Sequence, residues 1–385
     1  MEKYSSLHKF WDKQPSMSLI DNTAIEDGPI EKDFPVGTEL TVLPDKYYWS
    51  EADLTDDNIL QELFEFLNDN YIEDTDGSMR FTYSKEFLKW SLLVSGYNPE
   101  WHLTVRYGSK GKLLAFITAI PCSIRINDTQ IKTVEINYLC IHKNLRNKRL
   151  APVLIKEIIR RVSSKGIQQA IYTIGKEITK PIGITKYWHR DLNPKKLIEI
   201  GFSYLPPNQS MNQRIRLYKL PLIPQLSLRP LTLSDIPEAY ALLNQYLNKF
   251  KLRQMFTLEE FTHFFLPKTD IIYTYVLETN SKITDLCSFF SLSSQVLNNT
   301  KYSEMKGAYS FYNIASSVPL KDLINDAMIL AKTNGFDVYN ALDVMDNELF
   351  FKDLKFKIGT GGLQYYLYNW RCSPLQPNEI SIILF

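Results

Sequence analysis

Three consecutive segments restrict this fold more than any other part of the chain: Glu135-Ile-Asn-Tyr-Leu-Cys-Ile-His142, Lys143-Asn-Leu-Arg-Asn-Lys-Arg-Leu-Ala-Pro152, and Val153 to Val162. The first is a short apolar strand. The last carries Val153, Leu154, Ile158 and Ile159 at helical spacing, with Lys156, Arg160 and Arg161 among its charged positions. Pro152 suits the first helical turn, where a missing N–H costs nothing. A strand that feeds a cationic loop opening a helix can bind a pyrophosphate. Free backbone N–H groups and the helix dipole favour negative charge there, and Arg146, Lys148 and Arg149 add to it. The loop by itself fits a solvated basic turn on an ordinary β–α unit equally well.

The rest of the chain bears on that choice. At 385 residues there is room for two domains. No stretch approaches a membrane span; the Leu113–Ile120 run meets Pro121 and reads as a buried strand. The four cysteines, Cys122, Cys140, Cys287 and Cys372, form no C-x-x-C pair and have no zinc-type His spacing. A reduced, cytoplasmic, metal-free protein is the expectation, without a signal peptide, and Cys140 reads as a buried structural thiol. The net charge is +1, but it is unevenly placed. Glu51 to Asp76 holds ten acids and no Lys or Arg, whereas His142 to Gly166 holds eight Lys or Arg against Glu157 alone. Each block alone is most simply a solvated face; together they fit a protein that handles one anionic and one cationic ligand. Nucleic acid would call for a basic surface overall.

Amphipathic helices are expected from near Asp56 (Ile59, Leu60, Leu63, Phe64, Leu67), from Ser84 to Leu93, from Asn193-Pro194 to Gly201, from Asp235, and after the capping box Thr257-x-x-Glu260. Strands are expected at His102–Tyr107, Leu113–Ile120, Thr133–Ile141, Ala170–Ile174, Ile271–Leu277, Cys287–Leu292, Ala308–Ile314 and Phe336–Asn340. Strand, loop, Pro-led helix, Gly and strand therefore occur twice, around Glu135–Ile174 and around Ala308–Asn340, on either side of the connector Leu220–Pro224. The second loop, Ala315-Ser-Ser-Val-Pro319, has no Lys or Arg, so only the first half keeps phosphate-binding equipment. Matching order and punctuation favour a duplication within a mixed α/β chain.

The basic loop ahead of its helix resembles the acyl-CoA loop of the GNAT acyltransferase superfamily. Five motifs narrow the match: Phe10-Trp11-Asp12-x-Gln14-Pro15, Glu135–His142, Leu145–Pro152, Tyr187-Trp-His-Arg190 and Ile358–Trp370. In this order, and spread over nearly the whole chain, they resemble the N-myristoyltransferase family. The resemblance implies a mixed α/β (α+β) fold of two GNAT-like halves related by pseudo-symmetry. Residues 1–220 would bind acyl-CoA, and residues 221–385 would bind peptide and carry the C-terminal carboxylate. It implies transfer of myristoyl from myristoyl-CoA to an N-terminal glycine by a cytoplasmic monomer, with no metal, no nucleic acid and no integral membrane association. Another GNAT-type acyl transfer and a non-catalytic acyl-CoA-binding protein are the alternatives.

Carried over by residue, the acyl-CoA site takes Phe10, Trp11, Tyr138, Leu139, Cys140, Ile141, Asn147, Arg149, Leu150 and Ala151, beside the Arg146 and Lys148 read above. The peptide site takes Tyr71, Asp74, Asp76, Tyr83, Thr173, Tyr187, His189, Phe202, Ser294, Tyr309, Asn340 and Leu363. The resemblance places catalysis on the Phe385 carboxylate as base and on the backbone N–H groups of Tyr138 and Leu139 as oxyanion donors, with Asn137 and Thr173 beside them. The tail Ile380-Ser-Ile-Ile-Leu-Phe385 is apolar enough to be buried, as a base raised in pKa requires, though it also reads as a simple final strand. Lys9 stands where the family has Gln, Met79 where an aromatic is usual, and Thr360 where an Asp is frequent.

Overall fold

The computed structural model describes residues 10–17, 26–32, 37, 39–71 and 77–385. A single 15-stranded sheet runs through it. Four helices begin at capping side chains. Asp56 accepts from the N–H groups of Asn58 and Ile59 and opens Asp57–Asn70, and Ser84 accepts from Phe87 and opens Lys85–Leu92. Asn193 caps Pro194–Glu199, and the Thr257/Glu260 capping box is closed in both directions ahead of Leu258–Phe265.

The two halves share one topology. In the first, Lys112–Ile126 pairs antiparallel with Thr129–Ile141, and the helix Leu150–Ser163 leads to the parallel strand Ala170–Ile174. In the second, Lys282–Val296 pairs antiparallel with Glu304–Ala315, and the helix Leu320–Thr333 leads to the parallel strand Val338–Leu342. The halves then exchange a strand. Gly183–Asp191 pairs with Val338–Leu342 of the second half, and Lys357–Tyr368 pairs with Ala170–Ile174 of the first. The two exchanged strands also pair with each other, which makes the sheet continuous across the junction.

Neither exchanged strand is expected from hydrophobic periodicity. Gly183–Asp191 mixes charged and aromatic residues, and Lys357–Tyr368 holds three glycines in its first half. A further difference lies at Pro121, where the strand continues instead of stopping. Pro121 pairs with Val134 on one side, while the neighbour on the other side changes between Thr118 and Ile124, from His102–Tyr107 to Leu252–Gln254. A residue without an N–H fits that gap.

Candidate active site

The strand Thr129–Ile141 breaks register with its neighbour near its C-terminal end. Phe116 faces Cys140 and Thr118 faces Asn137, so Ile117 stands against two residues, Tyr138 and Leu139. Tyr138 takes φ 53°, an unusual value for an aromatic residue, and its hydroxyl lies 3.0 Å from Ser91 Oγ. The bulge takes the peptide groups of Tyr138 and Leu139 out of the ladder and turns Leu139, 37% exposed, towards open space.

Beyond the end of this strand, at Arg149, the chain turns through φ 58° and enters the helix. The N–H groups of Arg149, Leu150 and Ala151 have no acceptor among the described residues. Lys148 and Arg149 are exposed, and Arg146 reaches back to donate through Nη2 to the carbonyl of Asn70. Not all of the basic block belongs to this loop. Arg160 and Arg161 are tied to the buried carboxylate of Glu157. The acidic block is also partly structural: Glu62 holds Arg106 through two bonds, of 2.9 and 2.6 Å, and Asp57 pairs with Lys89.

A cavity of about 840 Å³ opens from the bulge. Of the residues named from the sequence, Trp11, Tyr71, Tyr83, Asn137, Tyr138, Leu139, Cys140, Ile141, Arg146, Ala151, Thr173, Tyr187, Tyr309, Leu363 and Phe385 line it. An apolar branch, unmarked in the sequence, follows the helix from Ala151 through Ile155, Ile158 and Ile159 to Val162. At helical rise this is about 16 Å long. Burial pushes the Cys140 thiol up to about 12, so it is an apolar wall rather than a nucleophile.

The tail enters this cavity. Ile380–Ser381 pairs with Leu252–Arg253, so the tail is in part the final strand that periodicity allowed. Beyond Ser381 the chain leaves the ladder and is held by side chains: Tyr312 donates to the Ser381 carbonyl (3.0 Å) and Tyr365 to the Ile382 carbonyl (2.9 Å). Phe385 lies among Phe87, Trp90, Phe264, Phe290 and Phe311, with ring centroids 4.7–6.1 Å away. Its N–H donates to Glu135 Oε1 at 3.3 Å, and Asn137 Nδ2 donates to the same oxygen. Burial raises the Glu135 carboxyl to about 7 against the pull of these two donors. Sequence reasoning missed Glu135, Tyr312, Tyr365 and the ring cage, because their partners lie far away along the chain.

Comparison with known proteins decides the family. The sequence model described as the myristoyl-CoA:protein N-myristoyltransferase N-terminal domain matches residues 29–185, and that of the C-terminal domain matches residues 199–381. The chain belongs to the N-myristoyltransferase family. It is 47% identical to glycylpeptide N-tetradecanoyltransferase 2 of Danio rerio over 98% of this chain and 77% of that protein. It is 46% identical to the glycylpeptide N-tetradecanoyltransferase of Plasmodium falciparum over 98% and 93%. The crystal structure of the Saccharomyces cerevisiae N-myristoyltransferase with bound myristoyl-CoA superposes with a TM-score of 0.94 at 37% identity, over 99% of this chain and 100% of that one. A GCN5-related N-acetyltransferase from Anabaena variabilis shares the fold alone, at 11% identity and TM-score 0.50.

The remaining positions carried over from the N-myristoyltransferase family fall around the cavity rather than on its wall. Phe10 packs edge-on against Trp11 (5.2 Å), and Asn147, Lys148, Arg149 and Leu150 belong to the basic loop and the head of its helix. His189 shares a 2.6 Å hydrogen bond with Asn340 Oδ1, with Phe202 edge-on at 5.2 Å and Tyr187 stacked on it. Burial holds the His189 pKa below its ordinary value. Ser294 is buried beside the Met79–Thr82 strand. Met79, itself buried, packs with Leu197, Ile200 and Val296. Thr360 lies in the stretch between Ile358 and Gly362 where the exchanged strands shift register. Lys9, Asp74 and Asp76 lie outside the described residues. Among the described residues no group of His, Cys, Asp and Glu could hold a metal, and no helix is long and apolar enough to cross a membrane.

Proposed function

We propose that this chain transfers a myristoyl group from myristoyl-CoA to the N-terminal glycine amine of peptides and proteins, with its first half (residues 1–220) holding the thioester and its second (221–385) most of the peptide. The observation that carries the reading is the convergence, on one cavity, of a bulged strand, a basic helix-opening loop, an apolar branch and the tail. Arg146, Lys148 and Arg149 and the open N–H groups at the helix head take the CoA phosphates. The apolar branch takes the acyl chain. Burial is worth about 0.8 kcal/mol per methylene, or roughly 10 kcal/mol gross for a long chain. Its length along the helix suits myristoyl rather than acetyl.

The thioester carbonyl then lies at the bulge, where the N–H groups of Tyr138 and Leu139 donate to the oxyanion that forms on attack. The amine attacks only when neutral. A free α-amino group has a pKa near ~8 and a terminal carboxyl one near ~3.5, a mismatch of about 6 kcal/mol. The Phe385 ring is seated among aromatic rings, and an apolar surrounding of this kind brings a carboxylate and an amine closer in pKa by disfavouring the charged form of each. The ammonium proton passes to the Phe385 carboxylate, with Asn137 and Thr173 orienting the amine. The C–N bond forms, the C–S bond breaks, and the CoA thiolate leaves with the second amine proton. A side chain on the attacking residue would crowd the acyl carbon, which selects glycine.

Cytoplasmic location is part of the same proposal, supported by four unpaired, buried cysteines. A monomer is its expected state, checked by light scattering. The decisive assay offers a Gly-initiated peptide both acetyl- and myristoyl-CoA and weighs the product by mass spectrometry. A product about 210 Da heavier is expected for myristoyl, the C14H27O acyl group of about 211 Da replacing one amine hydrogen; preferential acetylation would overturn the proposal.

A further inference from the structure

The apolar branch of the cavity has a direction and an end. The strands Thr129–Ile141 and Ala170–Ile174 pair only at Val134–Ala170 and Glu135–Ile171, and then part. Residues of both strands and of the helix Leu150–Ser163 line the cavity. Its near end lies where the strands finish, at Tyr138, Leu139 and Thr173. Its far end lies where they meet. There the Val134 N–H donates to the Gln169 carbonyl at 3.3 Å and closes the gap between them.

The wall changes character towards that end. Along the helix it is made by Ala151, Ile155, Ile158, Ile159 and Val162, whereas Ser163, Gln168 and Gln169 line the cavity beyond them. Ser163 is buried, and its hydroxyl is engaged with the Arg160 carbonyl at 3.1 Å. Gln168 and Gln169 are half-buried, and neither carboxamide has a hydrogen-bond partner among the described residues. Two carboxamides of this kind keep water at the end of the branch.

Length decides what reaches them. The branch measures about 16 Å at helical rise, close to an extended saturated chain of fourteen carbons. Methylenes beyond that point meet the two carboxamides. Burying them there strips water from amide groups and returns no hydrogen bond, which cancels the ordinary gain of apolar burial.

We propose that Gln168 and Gln169 form a polar stop that sets the upper length of the acyl chain, so that affinity grows with each methylene up to myristoyl and not beyond. The inference rests on reading this branch as the acyl site.

The test measures, by calorimetry, the Kd of saturated acyl-CoAs from decanoyl to palmitoyl. Wild type is compared with Gln168→Leu/Gln169→Leu and with Gln168→Ser/Gln169→Ser. In wild type, affinity should rise about fourfold with each methylene as far as myristoyl and stay level from there to palmitoyl. The leucine pair should bind myristoyl-CoA as wild type does, and palmitoyl-CoA about tenfold more tightly than that. The serine pair makes room but keeps the end polar, and should stay level at palmitoyl. Affinity that climbs to palmitoyl in wild type overturns the inference, as does a folded leucine pair that stays level there. A gain at palmitoyl in the serine pair also overturns it, because room rather than polarity then sets the limit; this arm stands even if the leucine pair is recovered unfolded. Each of these outcomes leaves the proposed function standing. Wild-type affinity that does not change between decanoyl and myristoyl overturns the reading of the branch as the acyl site instead.

Discussion

Glu135→Gln separates the electrostatics of the tail from its packing. Both donors that reach Glu135, Asn137 Nδ2 and the Phe385 N–H, use the same oxygen, Oε1, and a glutamine carbonyl oxygen can replace it. The charge is what changes. The folded-state carboxyl titrates near 7 because it is buried, against about 4.5 when exposed. The folded protein therefore holds a proton that the unfolded chain has released between these values, and stability falls as pH rises through that window. A gap of about 2.5 units corresponds to roughly 3 kcal/mol, absent below about pH 4.5 and fully expressed by about pH 8. Glutamine never ionises. Denaturant unfolding of both proteins at about pH 5 and about pH 8 should show wild type losing roughly 2–3 kcal/mol more than the variant between the two. All other titrating groups are common to both proteins and cancel. Equal losses would refute the argument that burial dominates at Glu135. Glutamine also removes a negative charge from beside the terminal residue, which lowers the carboxylate's pKa, so turnover should drop in the variant even where stability improves.

Other expectations follow from single contacts. Deleting Phe385, or adding a residue after it, should leave myristoyl-CoA affinity near wild type but cut single-turnover rates severely; an unchanged rate would remove the terminal carboxylate from the mechanism. Ile117→Ser places a hydroxyl where Ser288 stands in the second half, and capping one oxyanion donor should lower kcat by about 10²-fold with little change in myristoyl-CoA binding. A fall in affinity with kcat intact would put the bulge outside the chemistry. Arg149→Gly keeps the left-handed turn but loses the guanidinium, and should raise the myristoyl-CoA Kd roughly tenfold, the loss of one charge-assisted bond. Gly359→Ala would set a Cβ 2.2 Å from His189 Nε2 and displace the ring, so peptide KM should rise while myristoyl-CoA Kd stays constant.

What could be read from the chain divides along physical lines. Helix boundaries were legible because caps are local: Asp56, Ser84, Asn193 and Thr257 each sit within a few residues of the N–H groups they satisfy. The basic loop and the strand before it were legible for the same reason. The exchanged strands were not. Gly183–Asp191 and Lys357–Tyr368 owe their conformation to each other and to strands of the opposite half, and their own residues carry no alternation that announces it. The tail was half legible: its apolar run predicted burial, but nothing local pointed to Tyr312 and Tyr365 as the groups that draw it out of the sheet. Charge blocks misled in part, since Arg160, Arg161 and Glu62 are consumed by structural ion pairs.

The bulge shared by the two halves links these observations. A bulge frees a peptide group and turns the flanking side chains, and the two halves use it differently. In the first, Ile117 opposite the freed groups has no polar side-chain atom, Tyr138 adopts φ 53°, and Tyr138 and Leu139 line the cavity. In the second, where Ser288 stands opposite Phe311 and Tyr312, Ser288 takes up the freed N–H, and the side chains the bulge turns out are put to use instead: Phe311 packs tilted against Phe385, and Tyr312 binds the Ser381 carbonyl. In the proposed mechanism, one defect thus supplies the oxyanion donors in one half and anchors the base in the other. Since the strand exchange fixes both halves in one sheet, the distance between donors and base is set by the rigid core, not by a loop. Single turnover should therefore respond more steeply to cavity-forming changes at Phe311 or Tyr365 than to changes of equal size in the basic loop, which holds the donor substrate but does not set that distance.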